Sequence, residues 1–156
     1  MTICSYSPGV LPDIEPLIDL FTETVRRVCI AYTPQQRAAW APIPPERTHW
    51  EQALRTHTVW VAEQDGKIVG FTDLTEDGLL DHLYVHWHYQ RQGIASELVS
   101  CLEKEARQRG LAQIETDASR TARPFFERRG YVVQAHQEVL RRGVILDNFH
   151  MIKRLI

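Results

Sequence analysis

The chain has little of what would mark an unusual partner. Lysine and arginine number 18 against 20 aspartate and glutamate, which leaves 156 residues with a formal net charge of −2. Without a basic excess there is nothing to neutralise a phosphate backbone, so nucleic acid is not expected as a partner. Blocks of like charge, which would form an interaction tail, are missing. No apolar run approaches the ~20 residues of a membrane span, and no secretory signal precedes Thr2. Cysteines are only three, Cys4, Cys29 and Cys101. They are scattered, odd in number and set among apolar neighbours. That pattern argues against a disulfide frame or a metal site and reads as reduced, buried thiols of a cytoplasmic protein. Repeats, linkers and low-complexity tracts are absent as well. The expectation is one α/β domain over residues 1–156, long enough to bury a proper core.

What is present is periodicity of two kinds. Thr2 to Tyr6 reads as a short strand, ended by Ser7-Pro8-Gly9. Asp13 is placed to cap a helix whose Ile14, Leu17, Ile18, Phe21, Val25 and Val28 face inward. Thr33 and Pro34 begin a short helix to Trp40, and a further helix runs from about Glu46 to Arg55. This aromatic, proline-broken pair has the composition of a lid. Three strands follow as an antiparallel meander, Thr58 to Gln64, Lys67 to Leu74 and Leu79 to His86. Asp65-Gly66 and Glu76-Asp77-Gly78 supply their turns. A helix ending at Gly110 then leads to a strand at Ala112 to Ala118, parallel to the strand before that helix as a right-handed βαβ unit. A short helix at about Ala122 to Arg129 and a hairpin, Tyr131 to Leu140 and Val144 to Arg154, complete the chain.

The stretch Gln90-Arg91-Gln92-Gly93-Ile94-Ala95-Ser96 sits where the meander gives way to the βαβ unit. A small-residue loop at a helix start exposes backbone N–H groups that have no helical partner. With the helix dipole they form a seat for phosphate. Gly93 and Ala95 keep side chains out of the way of those groups.

Several motifs together resemble the GNAT N-acetyltransferase superfamily. Gln90-x-x-Gly93-x-Ala95 matches its pyrophosphate signature, and Leu83-Tyr84-Val85 stands where its fourth strand ends. Ala122-x-x-x-Phe126-x-x-x-Gly130-Tyr131 fits its fourth helix and following turn. A bacterial branch of the family shares the segments Pro34 to Trp40 and Asp117 to Arg128. The resemblance implies a mixed, mostly antiparallel seven-stranded sheet with about four helices and a parallel β4/β5 splay. It also implies acetyl-CoA as co-substrate, with pantetheine on the backbone of Leu83, Tyr84 and Val85. The pyrophosphate would then lie on Gln92 to Ser96, with Gln90 and Arg91 beside it. Two positions depart from the family pattern. Phe126 stands where a tyrosine usually protonates the departing thiolate, and Ser119 replaces an asparagine that binds pantetheine. The general acid is therefore unassigned.

Acetyl transfer to nitrogen requires an uncharged amine, and an alkylammonium has a pKa near ~10, so a base is needed. Asp81 is the leading candidate, because strand alternation puts it on the side of Leu83, facing the cleft. His82 has the more suitable pKa but the opposite parity, and ranks second. Asp73, Glu76, His86 and His88 are weaker. Tyr32, Tyr84 and Tyr131 are candidate proton donors. Tyr32, Trp40 and Asn148 outline a partly aromatic acceptor pocket, which fits a small-molecule amine better than a peptide. No metal is expected. Two alternatives stay open, a protein or peptide N-acetyltransferase and a non-catalytic acyl-CoA-binding regulatory module. Oligomeric state, a homodimer included, is open too.

Overall fold

In a computed structural model that describes residues 1–156, strand β1 (Thr2–Tyr6) precedes helices α1 (Glu15–Val28), α2 (Pro34–Trp40) and α3 (Arg47–Thr56). The meander β2 (Thr58–Gln64), β3 (Lys67–Leu74) and β4 (Leu79–Val85) comes next. A 3-10 turn at Trp87–Tyr89 leads to α4 (Ile94–Gln108), β5 (Gln113–Ala118) and α5 (Arg123–Arg128). The hairpin of β6 (Val132–Arg141) and β7 (Val144–Arg154) ends the chain. There are thus five α-helices where about four were expected. Thr33 caps α2 with a full capping box, its hydroxyl accepting from Gln36 N–H while the Gln36 side chain accepts from Thr33 N–H. Asp13 does accept a hydrogen bond from Glu15 N–H at 3.0 Å, but the α1 cap position falls one residue later, at Ile14.

All seven strands join one sheet in the order β1-β2-β3-β4-β5-β7-β6. Only β4 and β5 run parallel, and they pair at two positions, Leu79 with Glu115 and Leu80 with Thr116, before separating. Alternation along β2 sends Val59 and Val61 to one face and Trp60 and Ala62 to the other. Val59 and Val61 pack with Leu17, Phe21 and Trp50 of α1 and α3. Trp60 and Ala62 pack with Leu98 and Leu102 of α4. Gly70 lies directly under α4, where an added Cβ would stand 3.1 Å from Ile94 and from Leu98. The helix can approach the sheet closely there because glycine has no side chain.

The register of β3 and β4 breaks the simple alternation. Thr72 pairs with Leu83 and Asp73 with His82, yet Leu74 pairs with Leu80. One extra residue, Asp81, is therefore bulged out of β4. The bulge breaks the alternation that would place Asp81 beside Leu83, yet both residues line one cavity. Leu80, Leu83 and Val85 all pack toward α4, while Tyr84 packs toward α1. The cysteines also differ from expectation: Cys29 is buried, but Cys4 and Cys101 are half-exposed. No helix is long and apolar enough to cross a membrane.

Candidate active site

The separation of β4 from β5 opens a cavity of about 830 Å³. One end is the α4 entry. Gly93 sits at the α4 N-cap with φ 83°, and Arg91 just before it has φ 62°. The left-handed turn at Gly93 is the conformation that glycine adopts without strain. The first helical bond is Glu97 N–H to Gly93 C=O, so the N–H groups of Ile94, Ala95 and Ser96 precede any helical acceptor. A Cβ added at Gly93 would meet nothing within 4 Å, so the space beside this turn is open. Arg91 and Arg128 line the same cavity, and the sequence reading missed Arg128. A phosphate-bearing ligand fits this end on charge and on free donors.

Along the gap, His86 N–H donates to Val69 C=O at 2.8 Å. By antiparallel alternation, the backbone groups of Tyr84 then also turn to β3, while those of Leu83 and Val85 turn to the gap. The expectation that all three residues offer their backbone is thus narrowed to two. Gln90 lines the cavity, with its side chain turned back onto its own loop. Its side-chain amide donates to Val85 C=O at 2.5 Å and braces the loop. Ser119 accepts from Ala122 N–H at 3.0 Å, which holds the start of α5 but leaves its hydroxyl proton free. Phe126 lines the cavity as expected, buried edge-on against Tyr131.

A second cavity of about 510 Å³ lies on the α1 side, walled by α2, α3 and the β7 strand. Five residues line both cavities: Trp40, Asp81, Tyr84, Asp117 and Ser119. Phe21, Tyr32, Trp40, Trp50 and Tyr84 give the second cavity an aromatic wall. Asn148 lines it as expected, with its side-chain oxygen accepting from Gln137. Tyr32 contributes only its ring, because its hydroxyl donates to Asp147 C=O at 2.6 Å and accepts from Arg120 N–H at 2.9 Å.

At the junction stands a network that sequence reasoning saw only in part. Asp73 is fully buried and accepts from His82 N–H at 2.7 Å. Its carboxylate also meets His82 Nδ1 at 3.1 Å and His57 Nδ1 at 2.8 Å. Burial opposes its charge, but the two imidazoles outweigh burial and hold its pKa down at about 2. Burial likewise acts to lower the His82 pKa. The Asp73 carboxylate, with Asp81 behind it, more than reverses this and raises it above the ordinary histidine value. An Asp73 carboxylate at Nδ1 fixes the ring proton there and leaves the Nε2 lone pair free. The bulged Asp81 carboxylate lies 3.5 Å from His82 Nδ1 and 3.8 Å from His57 Nδ1. His57 carried no sequence signal, because its partner is fixed by the β2–β3 pairing and not by spacing. His82 packs against the Trp50 ring at 4.5 Å, and both line the second cavity.

Known proteins resemble this chain in sequence and in fold. A sequence model of the acetyltransferase (GNAT) domain matches residues 28–155. YafP, an uncharacterized N-acetyltransferase of Escherichia coli strain K12, is 37% identical over 150 residues, which cover 96% of this chain and 93% of that protein. A GCN5-related N-acetyltransferase from Rhodopseudomonas palustris superposes with a TM-score of 0.91 at 29% identity, over 99% of this chain and 95% of that one. The PaiA N-acetyltransferase of Thermoplasma acidophilum, in complex with coenzyme A, superposes with a TM-score of 0.76 at 18% identity over 99% of each chain, a likeness of fold.

Proposed function

The chain belongs to the GNAT acetyltransferase family, and from that premise we propose that it moves an acetyl group from acetyl-CoA to a primary amine of a small molecule. The observation that carries the reading is the meeting of two cavities at Trp40, Asp81, Tyr84, Asp117 and Ser119. A thioester at the end of the first cavity would face an amine held in the second, with no need of an acetylated enzyme. The donor's pyrophosphate is assigned to the N–H groups of Ile94, Ala95 and Ser96, with Arg91 and Arg128 as charge partners. Its pantetheine arm is assigned to the unpaired backbone of Leu83, and the Val85 N–H to the thioester oxygen, where negative charge develops; the Val85 carbonyl is already taken by Gln90 and Thr24.

On the acceptor side, we assign His82 as the base, above Asp81. The residue borders the acceptor cavity, and Asp73 holds its Nδ1, which leaves Nε2 for the amine. Asp81 receives the incoming ammonium at the bulge. The aromatic wall suits an amine with an apolar body, since a cation gains on ring faces. Walls of α2 and α3 make this a pocket more than a groove for a peptide. We place the protein in the cytoplasm on the three free thiols, and read the chain as one domain.

Phe126 favours one second reading, a coenzyme A-binding module without turnover. A panel separates the two: 2-phenylethylamine, putrescine, L-lysine, kanamycin and a lysine-containing peptide, each with acetyl-CoA. The acetyltransferase reading expects coenzyme A release above background with at least one small amine. Binding of coenzyme A with no release on any amine would favour the regulatory module.

A further inference from the structure

We infer that Tyr84 supplies the proton taken by the departing coenzyme A sulfur, the role left open by Phe126; this rests on the acetyl-transfer reading above. Tyr84 is the one tyrosine lining both cavities, so it stands where donor and acceptor would meet. The others are spent or distant. Tyr32 donates to Asp147 C=O, and Tyr131 donates to the buried Glu103 carboxylate at 2.9 Å. Tyr89 lines only the donor cavity, near the phosphate turn, and Tyr6 lies in β1 at the far edge of the sheet. Neither a carbonyl nor a carboxylate takes the Tyr84 hydroxyl proton.

The ring is also held in place. Phe21 meets it edge-on at 5.0 Å and 81°, Phe71 lies 5.9 Å away, and Trp40 6.5 Å away. A donor fixed by packing loses little entropy when it acts. Burial, then the neighbouring Cys29 and Asp81, push the Tyr84 ionisation well above the ordinary tyrosine value. Tyr84 therefore keeps its proton at neutral pH. The same enclosure raises the basicity of a sulfur leaving with negative charge, which favours transfer to it.

The step balances without a further reagent. The amine nitrogen, already freed of one proton by His82, forms the C–N bond to the acetyl carbon. The C–S bond breaks and its electron pair goes to sulfur, which takes the Tyr84 proton. The proton shed by the attacking nitrogen returns to the Tyr84 oxygen. His82 lies on the same strand face, its ring 6.4 Å from that of Tyr84, and passes the first proton to solvent.

Tyr84→Phe keeps the ring and its packing and removes the proton. With the panel amine that releases most coenzyme A, kcat should fall ~10²-fold or more while KM for acetyl-CoA changes less than about twofold. A second reading needs no turnover. Coenzyme A bound to the protein is titrated by its thiolate ultraviolet absorbance. Its sulfur should ionise at higher pH in Tyr84→Phe than in the wild type, because a hydrogen bond to the thiolate is lost. A kcat within about twofold of wild type, or a bound thiol that ionises at the same pH in both proteins, overturns the inference. Failure of the acetyl-transfer reading itself looks different, because the wild-type protein would then be inert on every amine.

Discussion

Replacing Asp73 by asparagine tests whether the buried network holds a working base. Asparagine has the same shape and its oxygen can still accept from His82 N–H. What it loses is the charge that faces two imidazoles. The fall of the Asp73 pKa from 3.8 to about 2 corresponds to about 2 kcal/mol at roughly 1.4 kcal/mol per pKa unit. The sign follows from that direction. A carboxyl whose folded pKa lies below its unfolded value stabilises the fold above the unfolded value, and that contribution is lost as pH falls through the folded one. Asp73→Asn should therefore cost about 2 kcal/mol at pH ~7 in urea unfolding, and the gap to wild type should close as pH falls toward ~2. Catalysis should suffer more. The asparagine amide can donate to Nδ1, which shifts the ring proton to Nε2 and blocks the base, as in triads that lose their aspartate. A kcat/KM loss of ~10²-fold or more is expected. The surviving acid limb of the pH profile should move to lower pH, because burial then lowers the His82 pKa without Asp73 to oppose it. An acid limb that stays in place, with kcat unchanged, would refute the assignment of His82.

Other changes read other parts of the molecule. Gly93→Trp places a side chain in the open space beside the α4 turn at φ 83°, and should weaken acetyl-CoA binding ~10²-fold in calorimetry with the circular dichroism of the fold kept; unchanged affinity would remove the phosphate seat. Asp81→Asn should raise KM for the amine more than it lowers kcat, because Asp81 is assigned to receive the ammonium and not to take its proton; a loss confined to kcat would return the base to Asp81. Glu103→Ala removes a buried carboxylate held by Arg129 at 2.8 Å, Tyr131 at 2.9 Å and Lys153 at 3.0 Å. It should destabilise the fold by about 3 kcal/mol in urea unfolding, since two cations are left without their partner.

Local chemistry announced most of the fold. Asp65 and Gly66 both take the left-handed conformation that their hairpin turn requires, and Gly110 does so just after α4. The β4–α4–β5 unit with Gly93 at its turn was legible because turn residues and two periodicities agree there. The acceptor side was legible only as a list of side chains. Its geometry depends on the bulge at Asp81, and alternation in a seven-residue strand cannot reveal an extra residue whose effect is to cancel alternation. The pairing of His57 with Asp73 depends on register between β2 and β3, and the role of Gln90 on a side chain folding back to its own loop. Sequence spacing does not encode either one. Tyr32 shows the opposite error, an aromatic correctly placed at the cavity whose hydroxyl is already committed to Asp147 and Arg120.

The central claim is that donor and acceptor are held together, so that acetyl passes directly between two joined cavities. Initial rates measured with acetyl-CoA and the best panel amine, both varied, test it most directly. Direct transfer predicts double-reciprocal lines that intersect, with coenzyme A released only when amine is present. Parallel lines, with a stoichiometric burst of coenzyme A from acetyl-CoA alone, would mean an acetylated enzyme and would contradict the account.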